Sequence, residues 1–498
     1  MFHVRVVRTG SGANAVQIVR YVDRKRLVVR HIGSAGNDEE QEALLLVAQE
    51  WIINQTHQLS VFPNETNTNI LLLDQCEFLG VHQQFLYEIL SKLQQRIGYL
   101  NINAPMLNDL VTIRIIEPAS KLRSIELIET YFGIKHRRQS FYEAAPKWLA
   151  LKEEVEQQTV RFAEKEFNFD YTLLFYDVTT LYFETFEADE LRKFGFSKDN
   201  KFQQPQIVIA LMVTKEGFPI AYEIFPGNTF EGHTIIPVIQ SFIKKHRIKN
   251  FTVVADAAMI SADNIRNLKE AKVHYIVGGR LGNLPTETLQ QIDQQLIRED
   301  GRTIRLNTDK GFLICSYSQK RFRKDNYEME KQIEKAKDVI TYPSKGKKTK
   351  FVKADQQKMV LNENLITKTK LLLGIKGYYT DLEENTVNNK IIIERYHDLY
   401  KIEQAFRVSK NDLQTRPIFH FKADPIKLHT LICFMALAVS KYIELKTDTS
   451  LRAFLTSLTG CSTCSEGHVE RLIKQIFNLP MKKGIANAPS SLVRHALR

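Results

Sequence analysis

Two short apolar runs carry most of the information about the fold: Thr172-Leu-Leu-Phe-Tyr-Asp177 and Phe251-Thr-Val-Val-Ala-Asp256. Each run is compact and apolar and ends in an aspartate, which predicts a buried strand. Between them, residues 205–214 and 218–228 predict two further strands, and residues 234–246 predict a helix. A strand and a helix are also predicted after the second run. This order predicts an α/β sheet with helices on its faces.

Asp177 and Asp256 both stand where a predicted strand ends. In α/β sheets the side chains leave the core at that edge, so it is where sites form. Carboxylate oxygens are the ligands that Mg²⁺ prefers, and two such ions about 4 Å apart can activate an attacking oxygen and stabilise a leaving one. The pair therefore predicts a Mg²⁺ site for two ions, with Mn²⁺ as a substitute. Taken singly, each aspartate is more often a turn or helix-cap residue.

A third candidate carboxylate, Glu403, lies within residues 389–413, which the spacing of apolar residues predicts to be one long helix. At 3.6 residues per turn, four side chains share its face. They are Tyr396, Leu399, Arg407 and Lys410. A phenol, a guanidinium and an ammonium around an acid make a poor core face, but they suit a surface that holds metal and contacts phosphates. Alone, Glu403 would be interpreted as a solvated helix residue.

Outward from these segments, the pattern predicts four regions. Residues 1–168 begin with short half-exposed strands and become mostly helical. Residues 169–280 and 369–425 form the predicted catalytic core. Residues 281–368 interrupt the core as an insertion with a hairpin and a charged helix. Residues 426–498 form a helical carboxyl-terminal region.

Composition narrows the class of protein. The 498 residues are 43% hydrophobic, enough for sizeable cores, and carry a net charge of +12. A positive excess favours a polyanionic partner, with nucleic acid first and an anionic membrane surface second. The charged amino terminus does not resemble a secretory signal, and the five cysteines do not suggest a disulfide framework. We therefore expect a soluble cytoplasmic protein that spans no membrane.

Residues 396–410 (Tyr-His-Asp-Leu-Tyr-Lys-Ile-Glu-Gln-Ala-Phe-Arg-Val-Ser-Lys) resemble the Tyr-x2-Arg-x3-Glu-x6-Lys signature of bacterial insertion-sequence transposases of the DDE class. YDVTT at 176–180 and VVADAAM at 253–259 resemble that group's two aspartate strands. FPGNTFEGHT at 225–234 and IKGYYTDL at 375–382 resemble its connecting motifs, as does RPIFHF at 416–421. The resemblance covers roughly residues 105–440 and includes the inserted segment. Leu399 departs from it, because the signature has arginine there.

The resemblance implies a ribonuclease-H-like core in which Asp177, Asp256 and Glu403 hold the metal ions, preceded by a DNA-binding region in residues 1–168. It implies that Tyr396 and Lys410 contact the DNA backbone, and Lys401 or Arg407 could supply the charge that Leu399 lacks. Enzymes of this group bind the terminal inverted repeats of a mobile element in double-stranded DNA and act as homodimers in a synaptic complex. They cut the element out and join it to target DNA, here in association with a bacterial nucleoid.

Other interpretations remain open at the level of sequence. A related nuclease or resolvase would cut DNA without joining it, and an inactive relic would bind DNA without cutting. Cys461, Cys464 and His468 could be three zinc ligands, but no fourth is evident, so ordinary thiols are the default. The basic run 345–348 is either a DNA-contacting loop or solvated surface.

Overall fold

The computed structural model describes residues 2–10, 12–22, 25–56, 83–248, 250–259, 261–342, 349–355, 358–459 and 466–479. The chain divides into two compact units, 1–81 and 82–498. The sequence interpretation placed a boundary at residue 168 instead. Residue 168 lies inside the second unit, where the helices before it share one hydrophobic core with the sheet that follows.

The amino-terminal unit is a three-stranded antiparallel sheet with one helix. Its elements are β1 (Phe2–Arg8), β2 (Asn14–Val22), β3 (Lys25–Ala35) and α1 (Asp38–Thr56). The central strand β2 buries Val16 and Ile18 against Ala48 of the helix. The alternation of apolar and charged residues predicted these strands because only one face of such a sheet meets a core.

The second unit opens with five helices. They are α2 (Gln84–Ile97), α3 (Pro105–Ile116), α4 (Lys121–Phe132), α5 (Arg138–Leu149) and α6 (Lys152–Phe167). Ser120 caps α4 by accepting a hydrogen bond from the Arg123 backbone N–H, and Gly133 ends the helix in a left-handed conformation. The predicted helical character of this region is confirmed.

The predicted strand–strand–strand–helix–strand–helix order follows. Its elements are β4 (Leu173–Tyr182), β5 (Gln206–Val213), β6 (Pro219–Pro226), α7 (Ile235–His246), β7 (Thr252–Ala255), α8 (Ala262–Glu270) and β8 (His274–Gly279). Strands β4, β5 and β6 form an antiparallel meander, whereas β7 and β8 run parallel to β4. The spatial order β6-β5-β4-β7-β8 is ribonuclease-H-like and confirms the predicted mixed α/β fold class.

The inserted segment extends this sheet. Its elements are α9 (Thr286–Gln295), β9 (Thr303–Thr308), β10 (Gly311–Tyr317), α10 (Gln319–Thr341), β11 (Val352–Asp355), β12 (Lys358–Leu361) and α11 (Glu363–Leu371). The chain then returns as β13 (Ile375–Thr380), which pairs antiparallel with both β8 and β10. The predicted hairpin β9–β10 therefore completes an eight-stranded sheet, ending in β8-β13-β10-β9.

Helices make up the remainder of the described chain. They are α12 (Asn389–His397), α13 (Tyr400–Arg407), a π-helical turn (Val408–Asp412), α14 (Ala423–Thr447), α15 (Leu451–Thr459) and α16 (Glu466–Phe477). Helix α14 is long and apolar enough to cross a membrane, but 94% of its apolar window is buried inside the protein. It packs against α3, α5 and β6, which explains why it is apolar all round.

Candidate active site

Asp177 and Asp256 lie side by side on neighbouring parallel strands. The register of β4 and β7 pairs Phe175 with Val254. Continuing this pairing by two residues on each strand places Asp177 next to Asp256. Neighbouring strands in a sheet are about 4.8 Å apart. Side chains at such positions point to the same face of the sheet. Asp256 directly follows the last residue of β7, but Asp177 lies in the middle of β4, which continues to Tyr182, so its predicted place at a strand end is wrong. The two carboxylates nevertheless lie next to each other on neighbouring strands.

The environment of Asp177 penalises its negative charge. Burial raises the pKa of its carboxyl to about 6, against an opposing effect of Lys198, and the nearby Glu231 and Asp256 add to the rise. The Lys198 ammonium lies 3.8 Å from Asp177 Oδ1 and 2.9 Å from Glu231 Oε1. Burial lowers the pKa of Lys198, but the carboxylates around it more than offset this, so the net shift is upward. Three acids and one ammonium therefore share this edge.

Sequence reasoning missed Lys198 and Glu231 as parts of the site. Glu231 belongs to the motif at 225–234, where a resemblance was noted without assigning a role to any residue. Lys198 had no comparable signal, because it lies in a polar loop far along the chain from either aspartate. Its ammonium also donates to the Val178 carbonyl oxygen at 2.7 Å, which fixes it beside the catalytic strand.

Tyr396 reaches the aspartate pair from helix α12. Its hydroxyl donates a hydrogen bond to Asp256 Oδ1 at 3.3 Å. Burial, together with Asp256, raises the pKa of Tyr396, so the phenol keeps its proton. Gly278 provides the space, because a Cβ there would lie 2.5 Å from the hydroxyl oxygen. The Lys376 ammonium lies 4.6 Å from the centre of the Tyr396 ring.

Glu403 comes from a different element than the two aspartates. It is exposed on α13, a helix that packs against β4 and β5. Burial and Arg321 lower the pKa of Lys376, whereas Asp256 and Glu403 both act to raise it, so both acids are within electrostatic reach of the Lys376 ammonium. Within the residues that the structure describes, no three His, Cys, Asp or Glu side chains are close enough to hold one metal ion. The triad remains a prediction.

The long helix predicted for residues 389–413 is wrong in one respect: it is broken twice. At the first break the backbone N–H groups donate three residues back, as in a 3₁₀ turn. These bonds are Leu399 to Tyr396, Lys401 to Asp398 and Ile402 to Leu399. Three residues per turn rotates each side chain by about 120° instead of 100°. The second break is the wider π-helical turn, so the single stripe through Glu403 does not exist.

The four proposed DNA contacts consequently point in different directions. Lys401 donates to the Lys215 carbonyl oxygen at 2.9 Å and pairs with Asp398 at 3.2 Å, so its charge is engaged within the fold. Lys410 pairs with Asp199 at 3.1 Å. Arg407 is exposed. Tyr396 is buried against Asp256, as described above.

Leu399 stands in the core. Its side chain is 7% exposed and belongs to the main hydrophobic cluster. A leucine buried in this way contacts no phosphate, so no direct substitute for the signature arginine stands at this position.

A basic cavity opens beside Asp256. It has a volume of about 720 Å³ and lies between the catalytic edge and the inserted segment. Four cations line it, Arg321, Lys350, Lys368 and Lys376, together with three acids, Asp256, Asp325 and Glu328. Arg321 pairs with Asp325 at 3.2 Å, so the other three cations carry most of the cavity's positive charge. Three of these cations, Arg321, Lys350 and Lys368, come from the insertion. From the sequence, the candidate DNA-contacting part of the insertion was the basic run 345–348. That run lies outside the described residues, as do Cys461, Cys464 and the side chain of His468.

The donors at this edge fit a hard divalent cation. Asp177 and Asp256 offer carboxylate oxygens, which Mg²⁺ prefers, and the charge of Asp256 adds to the cost of ionising Asp177. A bound cation would relieve that repulsion. No comparable soft donors, cysteine or histidine, line the cavity among the described residues.

A family model described as "Transposase DDE domain" matches residues 168–439, more than half of the chain. No curated protein matches the sequence. Among solved structures, the fold is similar to the cryo-EM structure of the piggyBac transposase synaptic complex with hairpin DNA. That similarity has 10% identity and a TM-score of 0.38, and it covers 77% of this chain and 76% of the other. The matched region begins just before β4 and ends within α14, and by this match the chain belongs to the transposase DDE domain family.

Proposed function

We propose that this protein is a DNA transposase that binds the terminal inverted repeats of an insertion sequence, cuts the DNA there and joins the ends to a target. One observation carries the proposal: Asp177 and Asp256 lie side by side on neighbouring strands, next to a cavity lined with cations. Carboxylates that attract metal ions and cations that attract phosphates are the two requirements for phosphodiester chemistry.

Asp177 and Asp256 would hold Mg²⁺, or Mn²⁺ in its place, and the pair is suited to two ions. Bound metal would activate the attacking oxygen and stabilise the leaving one. Glu403 is proposed as a third ligand from α13, which lies between two changes of helical winding. Tyr396 orients Asp256 through its hydroxyl, and Lys198 holds Asp177 and Glu231 together while neutralising part of their charge.

Double-stranded DNA is the proposed partner, held by its phosphates along the cavity cations and, outside it, by the exposed Arg407. Lys410 is proposed to exchange its pairing with Asp199 for a phosphate. Lys401 is the weakest of these candidates, because its ammonium already donates to the Lys215 carbonyl oxygen and pairs with Asp398. Synapsis of two element ends requires two active sites, so we propose a homodimer. We also propose that the protein belongs to the bacterial Tyr-Arg-Glu-Lys subgroup and acts in the cytoplasm, in association with the nucleoid.

The experiment is an excision and joining assay. The purified chain is incubated with DNA that carries the inverted repeats flanking its coding region, with Mg²⁺ or Mn²⁺ and an acceptor plasmid. We expect cleavage at the repeat ends and joined products. Asp256→Asn should abolish both while DNA affinity stays nearly unchanged, because the substitution removes a ligand charge without changing shape. Asp263→Asn, at an exposed acid on α8, is the matched control and should cut normally.

Glu403→Gln tests the third ligand in the same assay. Loss of cutting with retained binding supports the triad, and normal cutting would remove Glu403 from the proposal. Cleavage without joined products would identify a nuclease or resolvase. Binding without any cleavage would identify an inactive relic, an alternative that the exposed position of Glu403 and the buried Leu399 favour.

A further inference from the structure

A second large cavity lies away from the aspartates, in the same unit. Its volume is about 820 Å³, within the range of sites that hold small molecules. It is bounded by helices α3, α4 and α5, by the loop 414–422 and by the start of α14.

Two buried cations line this cavity. Arg114 and Lys121 are 4% and 5% exposed. Neither forms an ion pair with a carboxylate within the part of the chain that the structure describes. Arg114 donates to the Ala119 carbonyl oxygen, and the Lys121 ammonium lies 3.2 Å from His429 Nδ1. Buried charges in proteins are normally paired, so the Arg114 guanidinium beside Lys121 at an open cavity indicates an anion that comes from outside. Such an anion would also favour the protonated form of Lys121.

His429 is a neutral acceptor for Lys121. Burial, with the neighbouring Lys121 and Arg114, holds the pKa of His429 well below its ordinary value. Its Nε2 lies 3.0 Å from the Thr415 carbonyl oxygen, which only accepts, so Nε2 carries the proton and Nδ1 accepts from Lys121. The histidine therefore fixes the ammonium without neutralising it, and two of the three Lys121 N–H groups remain for another acceptor.

Aromatic rings form the other wall. Tyr142 and Phe419 both line the cavity and are 55% and 63% exposed, which is unusual for such large apolar surfaces. A site for an inorganic anion would not need them. Proteins that bind unpaired nucleotides without sequence preference combine aromatic rings with cations that bind phosphate, because every base can stack on a ring.

The cavity is tied to the catalytic strand. Ile418 pairs with the end of β4, where its backbone N–H donates to the Tyr182 carbonyl oxygen at 3.0 Å. Tyr182 is five residues beyond Asp177, about 17 Å along a strand. Arg416, which also lines the cavity, pairs with Asp199 at 3.1 Å, next to Lys198 in the sequence. About five base pairs of DNA would cover that distance.

We infer that this cavity binds an unpaired nucleotide of a DNA strand that passes the catalytic aspartates, with its phosphate on Arg114 and Lys121 and its base against Tyr142 and Phe419. The inference rests on the proposed function only in taking DNA as the ligand. It adds a site for a strand end or an extrahelical base, separate from the metal-binding edge.

The test measures binding of the full chain to fluorescein-labelled DNA by anisotropy, without divalent metal. One probe is a blunt duplex, and two others add a short unpaired thymine overhang at the 3′ or the 5′ end. We expect at least one overhang probe to bind about tenfold more tightly than the blunt duplex. Phe419→Ala combined with Tyr142→Ala should abolish that preference and leave blunt-duplex affinity unchanged. Phe421→Ala, an exposed ring of the same loop outside the cavity, should retain it.

Lys121→Met tests the phosphate half of the site. It should reduce the slope of log Kd against log salt for the overhang probe by about 0.7, the value for one single-strand phosphate contact. Thermal melting checks that each variant is folded. Excess thymidine monophosphate should erase the overhang preference, whereas the same concentration of inorganic phosphate should not. Equal binding of blunt and overhang probes, or equal competition by inorganic phosphate, would overturn the inference.

The outcome is separable from that of the proposed function. An overhang preference that depends on Phe419 and Tyr142 stands even where the excision assay yields no cleavage. Conversely, normal cleavage by a chain that does not distinguish the probes leaves the transposase proposal intact and removes this site.

Discussion

Gly278 makes room for the phenol that reaches Asp256. A methyl group there would lie 2.5 Å from the Tyr396 hydroxyl oxygen and 3.2 Å from Ala257 Cβ. We therefore expect Gly278→Ala to displace the Tyr396 ring and to lower cleavage about tenfold, the effect of losing a hydrogen bond to a charged group. The measurement is the initial rate of cutting at a repeat end.

The matched control for that variant is Gly282→Ala, because a Cβ at 282 meets nothing within 4 Å. It should cut at the normal rate. Unchanged cutting by Gly278→Ala would show that the contact between Tyr396 and Asp256 is not needed for the reaction.

Lys121 makes stability depend on pH. Burial, with Arg114 second, lowers the pKa of its ammonium to about 7 from 10.5. Between those values the unfolded chain binds more protons than the folded one, so stability rises with pH in this window. Below pH 7 the buried ammonium lowers the free energy of unfolding by its full amount. This destabilisation decreases as the pH rises and is gone near pH 10.5. Lys121→Met should therefore raise Tm most at low pH, with a difference on the order of 4 kcal/mol across the window.

Thermal melts at pH 6 and pH 9 check this expectation. Lys422→Met, at the exposed rim of the same cavity, is the control and should shift Tm equally at both values. A Lys121→Met shift that does not change with pH would mean that another group titrates there.

At the scale of elements, the segment 389–413 decides which side chains face the site. Its local pattern is helical throughout, but a 3₁₀ turn and a π-helical turn divide it. The 3₁₀ turn comes between two parts of the sheet, since α12 contacts β8 and β13 whereas α13 contacts β4 and β5, and the π-helical turn packs against α14. Packing against two parts of a twisted sheet is a tertiary requirement that helical periodicity does not encode.

Restoring the signature arginine at Leu399 tests this geometry. Because Leu399 is 7% exposed, Leu399→Arg would bury an unpaired guanidinium and should destabilise the protein by about 3 kcal/mol or more. Chemical denaturation measures the change. Tyr400→Arg, at the 49% exposed neighbour, should be nearly neutral. If Leu399→Arg were equally stable and bound DNA more tightly, the turn at 398–399 would be able to present position 399 to phosphate.

For the whole molecule, the cation-lined cavity beside Asp256 predicts steep salt dependence. A protein that contacts six to ten phosphates loses roughly a thousandfold or more in affinity between about 50 and 200 mM salt. We expect this for duplex DNA, measured by anisotropy. Lys368→Gln should reduce the log–log slope by about 0.9, because it removes one duplex phosphate contact.

Lys335→Gln is the control for that slope, since Lys335 is exposed on α10 outside the cavity. An unchanged slope for Lys368→Gln would place the DNA elsewhere on the surface.

Much of the architecture could be predicted without a structure. The strands of the core and their order along the chain follow from hydrophobic periodicity, which is a local property. The end of β4 does not, because the strand continues through Asp177 to Tyr182. The hairpin and the charged helix of the insertion were also predictable. That the hairpin would join the main sheet through β13 was not, because strand pairing over such distances leaves no local pattern.

By itself, the amino-acid sequence determined the element types and the α/β core, and it placed one aspartate on or next to each of two core strands, because each of these features depends on residues close together in the chain. Only the tertiary structure decided that Lys198 and Glu231 join Asp177, that Leu399 is buried and that Glu403 stays exposed. Those outcomes depend on strand register and on where a helix changes its winding. Both are set when distant segments pack together, so they are settled by the free energy of the whole core and not by any one stretch of residues.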